Sequence, residues 1–196
     1  MTTGQRILIF GGTFNPPTFA HEAIIRACLE LPGFDEVWVM PSGDRVDKKM
    51  TVSEEHRLQL LGVMKRAAFA DNPRLKISDF DLKLPRPTEM RDSLRELARV
   101  YPDTEFWFAY GGDSYRSMHT WLDADKFRPG LHAVVFTEQP LPADTPAQVV
   151  QMHLPESVQE VSSTEIRNTL ANGGDASRWA DKAVLAYCMN HRLYKA

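Results

Sequence analysis

The sequence predicts a doubly wound α/β fold: a parallel sheet with helices on both faces, closed by a small C-terminal helical end. Two observations carry that prediction. Short apolar runs rich in β-branched and aromatic residues alternate with longer segments of helical period. The short runs are also apolar throughout, rather than at every second position, as expected of strands covered on both faces. The size agrees, since 196 residues of which 43% are hydrophobic suffice for one domain with a substantial core.

Each element can be justified in turn. Ile7–Phe10 is the first strand and runs into Gly11-Gly12; Val37–Met40 is the second and ends at Pro41-Ser42-Gly43. Leu75–Ile77, Phe106–Tyr110, Ala133–Phe136 and Val149–Met152 complete the set. Helical period fills 18–31, 53–69, 88–100 and 114–126 between them, then 163–172 and 180–191 beyond the last strand. Strand–helix alternation of this kind implies right-handed crossovers and a parallel sheet. Prolines gather at 85–87 and 140–146, which suits connecting loops rather than a domain boundary. One domain over 1–196 is therefore expected, its helical end starting at about residue 160.

Composition excludes several classes of function. With 23 basic and 26 acidic residues the net charge is −3, so no basic surface is expected to carry nucleic acid. No apolar run approaches the ~18 residues of a membrane span, and the N-terminal segment lacks the pattern of a cleavable secretory leader. Cys28 and Cys188 are far apart and read as buried thiols of a reducing, cytoplasmic environment. The histidines at 21, 56, 119, 132, 153 and 191 show no metal-ligand spacing, so no protein-held metal is expected.

In an open parallel sheet, ligands bind beyond the carboxyl ends of the strands. After the first strand stands Gly11-Gly12-Thr13-Phe14-Asn15-Pro16-Pro17-Thr18-Phe19-Ala20-His21. Paired glycines let backbone approach a ligand. Thr18 is placed to cap the next helix, and His21 then falls in its first turn, where free N–H groups and the dipole attract an anion. This is not the G-x-G-x-x-G dinucleotide fingerprint. Farther along, Ser162-Ser163-Thr164-Glu165-Ile166-Arg167 opens another helix, with Ser162 and Glu165 at capping-box spacing. A cation as close to a helix start as Arg167 opposes the dipole; a phosphate shared by the guanidinium and the helix end would remove that conflict.

The two segments resemble the motifs G-G-[ST]-F-[DN]-P-x-[HT]-x-G-H and I-S-S-T-x-I-R of the nucleotidyltransferases typified by nicotinate and nicotinamide mononucleotide adenylyltransferases. The first motif matches at Gly11, Gly12, Thr13, Phe14, Asn15, Pro16, Thr18 and His21, with Ala20 in place of the usual glycine. The resemblance implies a Rossmann-like domain that transfers the adenylyl group of ATP to a pyridine mononucleotide, with Mg²⁺ carried in on ATP. It implies catalytic roles for His21, Arg167 and Lys48, with Lys49 an alternative to Lys48. It places Gly11, Gly12, Thr13, Phe14, Thr18, Gly112, Asp113, Ser162, Ser163 and Thr164 against ATP, and Thr88, Trp121 and Arg57 against the mononucleotide. A planar indole such as Trp121 can stack on a pyridine ring.

Departures bear on the second substrate. Arg45-Val46-Asp47-Lys48 replaces the bacterial P-P-H-K, and Glu89 and Met90 stand where bacterial relatives carry tyrosine and threonine. A phosphopantetheine adenylyltransferase and a non-catalytic nucleotide sensor remain alternatives at this point.

Overall fold

The computed structural model describes residues 4–43, 50, 52–70, 72–85, 87–153 and 162–195. Along the chain come β1 (Arg6–Gly12), α1 (Phe19–Glu30), β2 (Glu36–Pro41), α2 (Glu54–Phe69), β3 (Leu75–Ile77), α3 (Met90–Val100), β4 (Glu105–Gly111), α4 (Gly112–Ser117) and α5 (Ala124–Phe127). Then follow β5 (Ala133–Phe136), β6 (Val149–Met152), α6 (Ser163–Ala171) and α7 (Lys182–Asn190). The strands form one parallel sheet in the order β3-β2-β1-β4-β5-β6. The order reverses between β1 and β4, the place where an open α/β sheet leaves a crevice.

Side-chain alternation divides the core in two. Leu8, Phe10, Val37, Val39, Ala109 and Val134 face one side and pack with Ile25 and Cys28 of α1, Leu60, Leu61 and Met64 of α2, and Val184 and Leu185 of α7. Ile7, Ile9, Phe108, Tyr110, Ala133 and Val135 face the other and meet Leu97 of α3 and Tyr115 of α4. Both parities of β1 are buried, Ile7 to Phe10 each at 5% exposure or less. At roughly 1.5–3 kcal/mol for each such side chain, this strand is the central support of the fold and of the turn that follows it.

The helix predicted over 114–126 is broken. α4 ends at Ser117, a 3₁₀ turn spans Met118–Thr120, and α5 begins only at Ala124. Side chains compete with the helical ladder there: Ser117 Oγ donates to the Ser114 carbonyl and Thr120 Oγ1 to the Ser117 carbonyl. Asp123 then turns left-handed at φ 58°. The break displaces Trp121 from a helix face and brings it to the cleft described below.

Candidate active site

A cleft of about 550 Å³ lies beyond the carboxyl ends of β1 and β4. Gly11, Gly12, Thr13, Thr18 and His21 line one end; Asp81, Thr88, Glu89, Met90, Ser93, Tyr110 and Trp121 line the other.

Thr18 and His21 cap α1 reciprocally. The His21 N–H donates to Thr18 Oγ1 (3.4 Å), and His21 Nδ1 accepts from the Thr18 N–H at 2.9 Å, with Thr18 Oγ1 also 2.9 Å away. This is a capping box in which an imidazole takes the part usually played by glutamate. Because Nδ1 is an acceptor, the ring proton belongs on Nε2. The ring lies edge-on to Phe14, centroids 5.0 Å apart, and 6.0 Å from Phe10. Burial in that setting lowers the His21 pKa to about 4. At neutral pH the residue is thus an uncharged donor held at a helix start.

The glycines of the turn serve different ends. A Cβ on Gly12 would come within 3.1 Å of the Phe14 ring, whereas one on Gly11 would meet nothing closer than the Met40 carbonyl at 3.9 Å. Gly11 is open toward the cleft; Gly12 is required by the ring behind it. Phe14 itself is fully buried and T-shaped against Phe10. It supports the turn from within the core and does not line the cleft, contrary to the expectation that it contacts ATP. Its φ of 46° is unusual for a side chain of that size and is held by this packing.

The two distant motifs meet. Ser163 Oγ donates to the Pro16 carbonyl at 2.8 Å, and Arg167 Nη1 donates to the Asn15 carbonyl at 2.9 Å. Arg167 Nη2 also donates to Thr164 Oγ1 at 2.9 Å. Ser162 caps α6 by accepting from the Glu165 N–H at 3.3 Å, and Ile166 anchors the helix in the core. The starts of α1 and α6 therefore converge on residues 15–18; His21 lines the cleft, whereas Ser162, Ser163, Thr164 and Arg167 stand behind the turn and are not among its lining residues.

Other expected site residues are placed differently. Arg57 is completely buried on α2 and does not line the cleft; it donates to the carbonyls of Thr13 (3.2 Å) and Ser42 (2.8 Å) and approaches Glu54 at 4.0 Å. It ties the loops after β1 and β2 together. At the end of β4, Gly111 lines the cleft, while a Cβ on Gly112 would lie 2.5 Å from Thr137 Oγ1. Gly112 thus answers to the packing of α4 on the end of β5. Asp113 is fully exposed, outside the lining, and pairs with Arg116 at 2.8 Å. Lys48, and Lys49 with it, lies outside the described residues.

At the far end Thr88 and Trp121 do line the cleft. Thr88 is buried and donates to the Pro85 carbonyl at 3.1 Å. Trp121 stands edge-on to Tyr110, centroids 6.0 Å apart.

With this geometry in place, comparisons identify the relatives. The sequence pattern described as cytidylyltransferase-like matches residues 9–169, which spans both motifs. The chain belongs to the cytidylyltransferase-like family. A Thermus thermophilus protein named "Probable nicotinate-nucleotide adenylyltransferase" is 31% identical, covering 97% of this chain and 100% of that one. A protein of the same name from Lactiplantibacillus plantarum is 28% identical over 97% of this chain and 89% of its own. In structure, the nicotinic acid mononucleotide adenylyltransferase of Plasmodium falciparum complexed with NaAD superposes with a TM-score of 0.87 at 20% identity, over 97% of both chains, which shows the shared Rossmann-like fold.

The matched span takes in the far end of the cleft as well as the motif residues. Asp81 and Ser93 were absent from the sequence expectations. Ser93 Oγ donates to Asp81 Oδ1 at 2.7 Å, and burial raises the Asp81 pKa against the opposing effect of that bond. Asp81 stands four residues after the end of β3, so inspecting the stretch that follows every strand, the short one included, would have found it.

Proposed function

We propose that this chain transfers the adenylyl group of ATP to nicotinate or nicotinamide mononucleotide, releasing pyrophosphate and forming the dinucleotide of NAD biosynthesis. The observation that carries this reading is the convergence of two helix starts, α1 with His21 and α6 with Arg167, on the turn at 15–18. Two N-termini and a guanidinium at one turn suit a polyphosphate. The names of the relatives agree with it.

The attacking group is an oxygen of the mononucleotide 5′-phosphate, already ionised at pH 7, so no general base is required. That oxygen forms a bond to the α-phosphorus of ATP as the bond to pyrophosphate breaks. What the chain must supply is alignment and stabilisation of spreading negative charge. His21 offers Nε2–H as a fixed donor, and Gly11 leaves backbone room for the phosphates. Arg167 is held between Asn15 and Thr164, where it can follow the departing charge. Lys48 is proposed to assist from its own loop. Ser162, Ser163 and Thr164 support the phosphate end, with Gly12 and Phe14 shaping the turn, while Asp113 and the Gly111-Gly112 step are proposed to border the nucleoside. Thr88 and Trp121 border the pyridine, and Arg57 is a positioning residue behind both loops.

Nucleotidyltransferases of this kind use a divalent metal with ATP, and we propose Mg²⁺. The hydroxyls, neutral imidazole and helix starts at the phosphate end fit an ion that arrives on the triphosphate and keeps phosphate oxygens and water as its ligands. Such an ion supplies charge neutralisation of the phosphates. No described helix is long and apolar enough to cross a membrane, and the two buried free thiols fit the cytoplasm we propose as its location. One domain is proposed to hold both substrates.

The test is pyrophosphate release from ATP and Mg²⁺ with nicotinate mononucleotide, nicotinamide mononucleotide or phosphopantetheine supplied singly. Release with a pyridine mononucleotide is expected. Release with phosphopantetheine alone, or ATP binding without release in all three cases, would overturn the reading.

A further inference from the structure

The far half of the cleft has two walls that arrive by separate routes. One is the start of α3, where Thr88, Glu89 and Met90 line the space; the other is the connection from α4 to α5, which brings Trp121. Between the buried Met118 and Ala124, that connection has little regular structure: a 3₁₀ turn at Met118–Thr120 and a left-handed Asp123 at φ 58°. Two of its side chains bond back to nearby carbonyls, His119 Nδ1 to that of Arg116 at 2.7 Å and Thr120 Oγ1 to that of Ser117 at 2.8 Å. Leu122, next to Trp121, is exposed.

Asp123 departs from this local pattern. Its Oδ2 accepts from Nη1 of Arg91, 32 positions earlier on α3, while its Oδ1 accepts from Lys126 Nζ at 2.7 Å. Arg91 directly follows Met90, and Asp123 stands two residues after Trp121. The ion pair therefore joins the two walls right beside residues that face the cleft. The next arginines along that side of α3 behave otherwise: Arg95 pairs with Asp92 at 3.2 Å and Arg99 with Glu96 at 2.7 Å, both within the helix. Arg91 also approaches Asp92, at 3.8 Å. Lys126 first, and Arg91 after it, hold the Asp123 carboxyl below the usual carboxylate range, so it is ionised at neutral pH.

We infer that the Arg91–Asp123 pair is a clasp that sets the Trp121 wall against α3, which makes both of them positioning residues for the acceptor mononucleotide. The inference rests on the adenylyl-transfer reading above and adds to it two residues outside the cleft lining. An exposed ion pair contributes little to global stability. Its effect here is local, because the bonds of His119 and Thr120 do not set the distance of their segment from α3. Irregular, partly exposed backbone opens at lower free energy than a core element. A wall that must be ordered as the ligand arrives subtracts from affinity. With the clasp closed, Trp121 is in place before the acceptor enters. The turn at the phosphate end is held by different bonds, Ser163 to Pro16 and Arg167 to Asn15, so the clasp bears on the acceptor and not on ATP.

The experiment measures kcat and both KM values, for ATP and for the pyridine mononucleotide that is turned over, with Mg²⁺. It compares the wild type with Arg91→Met, Asp123→Asn and the double variant. Asparagine accepts a left-handed backbone as aspartate does, and methionine keeps much of the arginine stem, so each single change removes one charge of the pair. Each is expected to raise the KM for the mononucleotide about fivefold, with kcat and the KM for ATP within about twofold of wild type and the urea midpoint unchanged. The double variant should be no worse than the worse single one, since the second change has no pair left to break. Arg91→Lys, which keeps the charge, should restore the wild-type KM. The inference is overturned by a mononucleotide KM within about twofold of wild type, by equal rises in both KM values, by single effects that add in the double variant, or by a fall in the urea midpoint that accompanies the kinetic change. Absence of wild-type turnover with either pyridine mononucleotide would instead remove the adenylyl-transfer reading, and the clasp's role with it. Arg91 is exposed on its helix, so Arg91→Met keeps the test decisive if Asp123→Asn fails to fold.

Discussion

The Tyr194 hydroxyl donates a 2.6 Å hydrogen bond to Oδ1 of Asn15, 179 positions earlier in the chain. Asn15 is only 6% exposed, and its carbonyl is the one that receives Arg167. A single residue of the β1–α1 turn is thus gripped by α6 through its backbone and by the C-terminal segment through its side chain.

Tyr194→Phe keeps the ring and removes only that donor. The buried amide oxygen then loses this donor, at about 1 kcal/mol of stability. The turn that carries Gly11 and Gly12 is expected to loosen, lowering kcat by about fivefold to tenfold while the KM for ATP moves by less than about twofold. Urea unfolding together with steady-state kinetics checks this; a KM effect with unchanged kcat would show that the bond serves affinity instead.

His21→Ala is expected to lower kcat by roughly 10²–10³, as for other preorganised donors. The pKa of about 4 adds a sharper expectation, that the imidazole acts uncharged. The ratio of wild-type to variant kcat should then stay constant within about threefold from pH 6 to pH 9. A ratio that falls steeply with rising pH would mean that the imidazolium is the working form.

Arg57→Met separates a buried clamp from a substrate contact. It preserves most of the stem but leaves the carbonyls of Thr13 and Ser42 without the guanidinium and Glu54 without its nearby charge. Loss of about 3 kcal/mol or more in stability is expected, measurable as a lower denaturation midpoint. The KM for the mononucleotide should change little in the fraction that remains folded; a KM rise of tenfold with normal stability would restore Arg57 to the binding site.

Strand positions were legible in the sequence because a strand covered on both faces announces itself as an unbroken apolar run, as Ile7–Phe10 and Ala133–Phe136 do. The pairing of Thr18 with His21 was legible as spacing, though not the reversal in which imidazole replaces a carboxylate as capping group. The break after Ser117 was not, since Ser and Thr are tolerated in helices and only the structure reveals that their hydroxyls have turned back on the ladder. Arg57 shows the commonest difficulty. A charged residue downstream of a ligand-binding loop is read as facing the ligand, and nothing in its sequence setting distinguishes that from a side chain folded beneath two loops. Gly112 misleads for a related reason: a glycine pair signals close approach, but of Gly111 and Gly112 it is the second that is crowded by Thr137.

Glu22 gives a prediction in the opposite sense to His21. It lies on the buried face of α1, and burial, with the nearby Asp181 carboxylate adding to it and Arg26 opposing, raises its pKa to about 7. A group whose pKa is raised on folding binds its proton more tightly in the folded chain, so its contribution to stability is complete below the unfolded value of about 4.5 and is lost as pH rises through 7. His21, with its pKa lowered, contributes stability that is present above 6.5 and lost as pH falls through 4. The two oppose one another between those limits, so the wild-type profile alone does not isolate either. Glu22→Gln does, because glutamine fills the same space without a charge to bury. At pH 8 the variant is expected to be more stable than the wild type by about 2–3 kcal/mol, and at pH 4 the two should coincide within about 0.5 kcal/mol. Urea midpoints at the two pH values decide it: an equal difference at both would assign the effect to packing rather than to the proton.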